Sequence, residues 1–170
     1  MSIIREKPLK IAIIGYSGTG KSAAGVKIAE KLALSFADLD EIIVYKQGMS
    51  IAQTYITFGE KTFRSLEEGA LSEVLWHDDI VICVGGGLPL NSCIMELLQD
   101  FVKVRFTAGA HTIHARLTAL NRPKIWDYSL AAIKKAIAER EETYSFYADI
   151  TIDTDGKTVE EVAELVVSGQ

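Results

Sequence analysis

Cysteine is scarce in this 170-residue chain: only Cys83 and Cys93 are present. They lack metal-ligand spacing, and two thiols cannot make a disulfide-dense scaffold. The expectation is two reduced thiols, with Cys83 inside a buried strand. Long apolar runs are also missing. Ile80-Val81-Ile82-Cys83-Val84 is among the longest, far short of the ~20 residues that span a bilayer. Excess positive charge is absent: 18 Lys and Arg against 23 Asp and Glu leave a formal net charge of −5. That balance argues against nucleic acid or a membrane surface as the main partner. The start, MSIIREKPLK, has no apolar leader stretch. No internal repeat, low-complexity tract or linker interrupts the chain. These absences are consistent with a soluble cytoplasmic protein; one domain, residues 1–170, and a monomer are the expectation.

What the sequence does contain is a regular alternation. Residues 9–14, 36–38, 80–84, 101–106 and 149–153 read as short strands. Helical periodicity covers 21–33, 39–47, 50–57, 60–76, 92–99, 109–119, 129–145 and 158–167. Gly48 separates two of these helices, and Ser50 suits an N-cap. Strand-helix alternation predicts an α/β fold with a mainly parallel sheet and helices on both faces. Ligands of such sheets bind at the C-terminal ends of the strands.

The first strand runs into Gly15-Tyr16-Ser17-Gly18-Thr19-Gly20-Lys21-Ser22. This fits G-x-x-x-x-G-K-[ST], with a strand before it and a helix after it. The glycines let backbone N–H groups turn inward, and the helix adds its unpaired N–H groups and positive dipole end. Lys21 would meet the outer phosphates of ATP, and the Ser22 hydroxyl would join a Mg²⁺ shell. Gly15, Ser17, Gly18, Thr19, Gly20 and Ala23 complete the expected nucleotide contacts. The loop says nothing about the acceptor.

Other residues address that question. Asp38 and Asp40 alternate onto one side of an extended segment. They suit a divided task at the phosphate site, one holding metal and one a hydroxyl; they equally suit a helix cap and its first turn. Arg64 and Glu67 share a helix face. They are either a solvated ion pair or a braced guanidinium fork for an acidic substrate. Gly85-Gly86-Gly87 closes an apolar strand and lets something approach the backbone. That strand ends without an acid, which favours Asp38 for the metal. No N-K-x-D guanine motif is present, against a GTPase switch.

In order, these segments resemble the shikimate kinase family over nearly the whole chain. The resemblance rests on the phosphate loop, Asp38-x-Asp40, and Gly59-Glu60-x-x-Phe63-Arg64-x-x-Glu67. It continues through Gly85-Gly86-Gly87, Arg122-Pro123, and Arg140 with Tyr144. It implies a three-layer P-loop NTPase fold of the nucleoside-monophosphate kinase type, with a five-stranded parallel sheet of order 2-3-1-4-5. A substrate-binding segment would cover about 39–70 and a short lid about 118–129. The implied substrates are shikimate and ATP, with Mg²⁺. Asp40 would hold the reacting hydroxyl, while Arg64 and Arg140 grip the carboxylate and Glu67 orients Arg64. Gly85, Gly86 and Gly87 would lie beside the hydroxyls, and Tyr55 would form an aromatic wall. Lys21 and Arg122 would stabilise the transferred phosphoryl group, Arg116 would lie near adenine, and Ser22 and Asp38 would hold Mg²⁺. The family's lid usually reads R-P-L-L, whereas this chain has Arg122-Pro123-Lys124-Ile125. The same scaffold suits a kinase of another small hydroxy acid, such as gluconate, or a nucleotide-binding relative without activity.

Overall fold

The structure, a computed structural model, describes residues 8–87, 91–120 and 126–169. Arg122 and Lys124 lie outside these described residues.

Five short apolar segments form one parallel sheet: β1 (Lys10–Gly15), β2 (Ser35–Asp38), β3 (Ile80–Cys83), β4 (Val102–Thr107) and β5 (Ile150–Asp153). Their order is β2-β3-β1-β4-β5, as the resemblance implied. Every pairing is parallel, with Ile13 opposite Cys83 and Ile14 opposite Arg105. The pleat sends alternate residues to opposite faces. Ile11 and Ile13 join the core under α1 (Lys21–Leu32) and α7 (Val159–Ser168). Ala12 and Ile14 join the core on the other face. That second core also takes in α2 (Leu39–Gln47), α3 (Ile51–Val74) and α4 (Ser92–Leu97). Ile13 and Ile14 are both fully buried; truncation of either to Ala would cost about 2–5 kcal/mol.

The helices start where their capping residues stand. Ser50 and Gln53 form a reciprocal capping box on α3, and Thr158 and Glu161 do the same on α7. Each box satisfies two otherwise orphaned N–H groups. The sequence predicts separate helices over 50–57 and 60–76. The backbone runs through both as α3, but Gly59 breaks its helical path with φ of 77° and ψ of 171°. Only glycine enters that region readily, so the expected break is present as a bend. α4 is shorter than the expected 92–99. Leu98 and Gln99 donate to carbonyls three residues back, at Met95 and Glu96, so the end tightens out of α-geometry. Two further helices, α5 (Ala110–Ala119) and α6 (Leu130–Tyr147), pack on each other, and α6 also meets β4. Among the described residues, no helix is long and apolar enough to cross a membrane.

Candidate active site

The C-terminal ends of β1, β2 and β3 meet at one rim. After β1 the chain turns through Gly15, Gly18 and Gly20, all with positive φ. At Gly15 a Cβ would stand 2.4 Å from the Phe106 carbonyl oxygen, so no other residue fits this close strand-to-strand approach. Gly20 caps α1 without a side-chain hydrogen bond, and the first turn carries no acid. Its N–H groups and dipole end therefore suit an anion. Lys21 curls back over the loop, its Nζ donating to the carbonyls of Gly15 at 2.8 Å and Tyr16 at 3.0 Å. Thr19 faces inward and is buried. Its Oγ1 donates to the Tyr16 carbonyl at 2.8 Å and its own carbonyl accepts from Thr154. Neither Gly15 nor Thr19 lines the cavity beside the loop, which is formed by Ser17, Gly18, Gly20, Lys21, Ser22 and Ala23 among others. Gly15 and Thr19 set the loop's shape. Arg116 on α5 reaches the same cavity. Its guanidinium is fixed by the Gly18 carbonyl at 3.2 Å, the Thr154 hydroxyl at 3.2 Å and the Thr154 carbonyl at 3.3 Å.

Asp38 ends β2 and Asp40 stands in the first turn of α2. Asp38 caps α2: its Oδ1 accepts from the Asp40 N–H at 3.0 Å. Its Oδ2 accepts from the Ser22 hydroxyl at 2.5 Å. One carboxylate thus both caps α2 and accepts from Ser22. Asp40 turns the other way, toward Gly85. A Cβ on Gly85 would lie 3.1 Å from both Asp40 Oδ1 and Glu67 Oε1, so the two carboxylates close around the bare backbone. Burial pushes the Glu67 carboxyl up to about 7, with the charge of Asp40 adding to the rise and Arg64 opposing it.

Arg64 donates from Nη1 to Glu67 at 2.6 Å, and from Nη2 to Glu60 at 3.5 Å. Glu67 is 3% exposed at its side chain, so this is a braced fork and not a solvated surface pair. The guanidinium lies against Gly87, where a Cβ would be 2.8 Å from Nη1. Arg140 on α6 donates to the Gly86 carbonyl at 3.4 Å and lies 5.2 Å over the Tyr16 ring. Tyr144 donates its hydroxyl to the same carbonyl. Tyr55 packs edge-on against Phe63 at 5.5 Å and Trp126 at 5.6 Å.

Two cavities result. One, of about 550 Å³, follows the phosphate loop to Arg116 and Leu120. The other, of about 390 Å³, holds Asp40, Arg64, Glu67, Arg140, Tyr55 and the three glycines in its wall. Ser17, Asp40 and Gly86 line both. Two arginines with acids nearby suit a small polyhydroxylated acid, and the loop suits a nucleotide.

Sequence reasoning assigned no role to Tyr16, Thr154, Trp126 or Arg105. Tyr16 and Trp126 line the acceptor cavity, and Thr154 orients Arg116. Arg105 carried one visible signal, a charge set between Val104 and Phe106 in the strand Val102–Thr107. The thiols divide as expected, Cys83 buried and Cys93 exposed. Cys83 Sγ donates to the Lys21 carbonyl at 3.3 Å.

A P-loop sheet with a nucleotide cavity opening onto a small acid-and-arginine cavity defines an ATP-dependent small-molecule kinase. The family model described as Shikimate kinase matches residues 17–169. Shikimate kinase of Thermodesulfovibrio yellowstonii is 37% identical over 160 residues, covering 92% of each chain. That of Caldanaerobacter subterraneus is 36% identical over 165 residues, covering 92% of this chain and 93% of its own. Among solved structures, shikimate kinase from Acinetobacter baumannii in complex with shikimate superposes with a TM-score of 0.86 at 26% identity, over 97% of this chain and 96% of that one. The Aquifex aeolicus enzyme gives 0.81 at 28% identity, over 94% and 95%. This chain belongs to the shikimate kinase family.

Proposed function

We propose that this chain transfers the γ-phosphoryl group of ATP to the 3-hydroxyl of shikimate, giving 3-phosphoshikimate and ADP. The observation that carries the reading is Asp40, which lines both cavities. A hydroxyl held there faces a phosphate held by the loop. The wider setting is chorismate and aromatic amino-acid biosynthesis, by a cytoplasmic monomer of one domain.

Phosphoryl transfer asks the protein for in-line placement and for compensation of spreading negative charge. The loop N–H groups and Lys21 hold the β- and γ-phosphates, and Arg116 flanks the adenine. Lys21 leaves the carbonyls of Gly15 and Tyr16 for the phosphate oxygens, exchanging neutral acceptors for charged ones. Arg64 and Arg140 bind the shikimate carboxylate, which fixes the ring. Asp40 accepts the hydrogen bond of the 3-hydroxyl and takes its proton as the oxygen–phosphorus bond forms. Glu67 keeps Arg64 in place, and Gly85, Gly86 and Gly87 leave room for the hydroxyls. Tyr55 walls the ring. Arg122, assigned by the family resemblance, adds charge at the transferring group.

The residues present fit Mg²⁺. Ser22 Oγ and Asp38 Oδ2 converge within 2.5 Å at the phosphate loop. Among the described residues no group of three or more His, Cys, Asp or Glu could hold a metal. An ion here would take its remaining ligands from phosphate and water, the usual way Mg²⁺ is bound. When bound it supplies positive charge to the phosphate oxygens.

The test is ADP release followed with Mg²⁺ present, using shikimate, gluconate or no acceptor. Turnover is expected with shikimate alone. A shikimate rate no higher than the blank would overturn the reading, and an equal rate with gluconate would widen it to small hydroxy acids.

A further inference from the structure

β4 buries an arginine on the face it shares with Lys103 and Thr107. Val104 and Phe106 point into the core beneath α1 and α7. Arg105, between them, points to the opposite face and is 6% exposed. A buried guanidinium is retained only where its donors are met. Here they are met by α6. Nη1 donates to Glu141 Oε1 at 2.9 Å and to the Ser145 hydroxyl at 2.8 Å, while Nη2 donates to Glu141 Oε2 at 2.5 Å. This is a bidentate fork, the most directional of ion pairs. The Ser145 hydroxyl donates on to Glu141 at 3.0 Å, and the guanidinium lies 5.6 Å over the Tyr144 ring.

Helix α6 packs on α5 through Ile133 and Ile137, but its hold on the sheet is slight. Of its 18 residues only Ile133 and Tyr144 are buried. A small void of about 70 Å³ lies beside Arg105, Ile137, Glu141 and Tyr144, so apolar packing leaves slack there. The polar clamp therefore fixes how α6 is rotated and how far along its axis it sits. Arg140 is the residue next to Glu141, and Tyr144 is one turn on. Both donate to the Gly86 carbonyl.

We infer that Arg105 is a positioning residue for acceptor binding: through Glu141, Ser145 and Tyr144 it sets the rotation of α6 that aims Arg140 into the acceptor cavity. This rests on the reading of Arg140 as a ligand of the acceptor carboxylate. Arg105 does not itself line that cavity. Its loss should loosen acceptor binding and leave the nucleotide half alone.

The experiment is a double-mutant cycle. Arg105→Met keeps the length of the stem and removes the fork. Glu141 is 55% exposed at its side chain, so water can solvate it in that variant. The KM for shikimate is expected to rise about tenfold, the size of one weakened charge-assisted hydrogen bond. The KM for ATP and kcat should stay near wild type, and Arg105→Lys should restore part of the loss. In an Arg140→Ala background, Arg105→Met should add nothing further, because contacts in one network are not additive. An equal loss in both backgrounds, or a matching loss for ATP, would make Arg105 merely structural and overturn the inference. If Arg140→Ala raises the shikimate KM and Arg105→Met does not, the inference alone fails. If Arg140→Ala has no effect on that KM, the carboxylate reading of Arg140 fails, and the inference with it. Should Arg105→Met not fold, Glu141→Gln breaks the same fork from its exposed side, and an unchanged shikimate KM there would refute the proposal.

Discussion

Gly87→Ala should damage acceptor binding without damaging the fold. Gly87 has no left-handed φ, so its backbone accepts a side chain. The added Cβ would lie 2.8 Å from Arg64 Nη1, 3.0 Å from Nη2 and 3.3 Å from Cζ. Ordinary contacts between such atoms need about 3.5–4.0 Å, so the guanidinium must retreat by roughly 0.7–1.2 Å. Arg64 is a long side chain and can swing away, so the loss in unfolding free energy should stay under about 1 kcal/mol. Its hydrogen bond to the acceptor carboxylate does not tolerate the same displacement. A bond of that kind contributes about 1.5–3 kcal/mol, and each 1.4 kcal/mol is about tenfold in affinity. The KM for shikimate should therefore rise about 10- to 100-fold, with the KM for ATP unchanged. Steady-state kinetics with each substrate varied in turn, together with a urea unfolding curve, measure all three quantities. A shikimate KM within about twofold of wild type, a difference of only ~0.4 kcal/mol, would refute the assignment of Arg64. A large loss of stability would refute the packing argument instead.

Glu67 makes stability depend on pH. Its carboxyl titrates at about 7 in the folded chain against 4.5 for an unperturbed group, so the folded state binds the extra proton. Its contribution is complete below about pH 4.5 and is lost as pH rises through about 7, on the order of 3 kcal/mol for a buried group. Urea unfolding from pH 5 to 8 should show wild type losing stability relative to Glu67→Gln; parallel curves would contradict the burial argument. Trp126 lines the acceptor cavity, whereas Trp76, the only other tryptophan, is 73% exposed. Shikimate should change the intrinsic emission of wild type and leave that of Trp126→Phe unmoved. A signal that survives in Trp126→Phe would place the ligand elsewhere.

The phosphate loop was legible because its parts are contiguous and each glycine answers a backbone demand. Asp38, Asp40, Arg64 and Glu67 were legible as family spacing. Whether Arg64 and Glu67 paired in solvent or in the site was decided only by packing, since Glu67 is buried against Gly85, which follows β3. Ser22 and Asp38 stand 16 positions apart, and their contact depends on β1 and β2 being separated by one strand. Arg105 and Glu141 are further apart still. No local period links a strand residue to a helix that follows it by 36 positions, so the clamp could not be read before the sheet was assembled. The use of the Thr19 hydroxyl to close the loop onto the Tyr16 carbonyl was likewise invisible in the motif.

The two thiols have a practical consequence. A thiol reacts as the thiolate, and only when a reagent can reach it. Cys83 is shut inside the sheet, its sulfur turned to the first residue of α1, and burial drives its acidity down. Cys93 sits exposed on α4. The native chain is thus singly addressable without mutagenesis. A maleimide dye or spin label should attach once, at Cys93, and a second equivalent should be taken up only as the sheet unfolds, so the count of reactive thiols doubles as a clock for opening of the core.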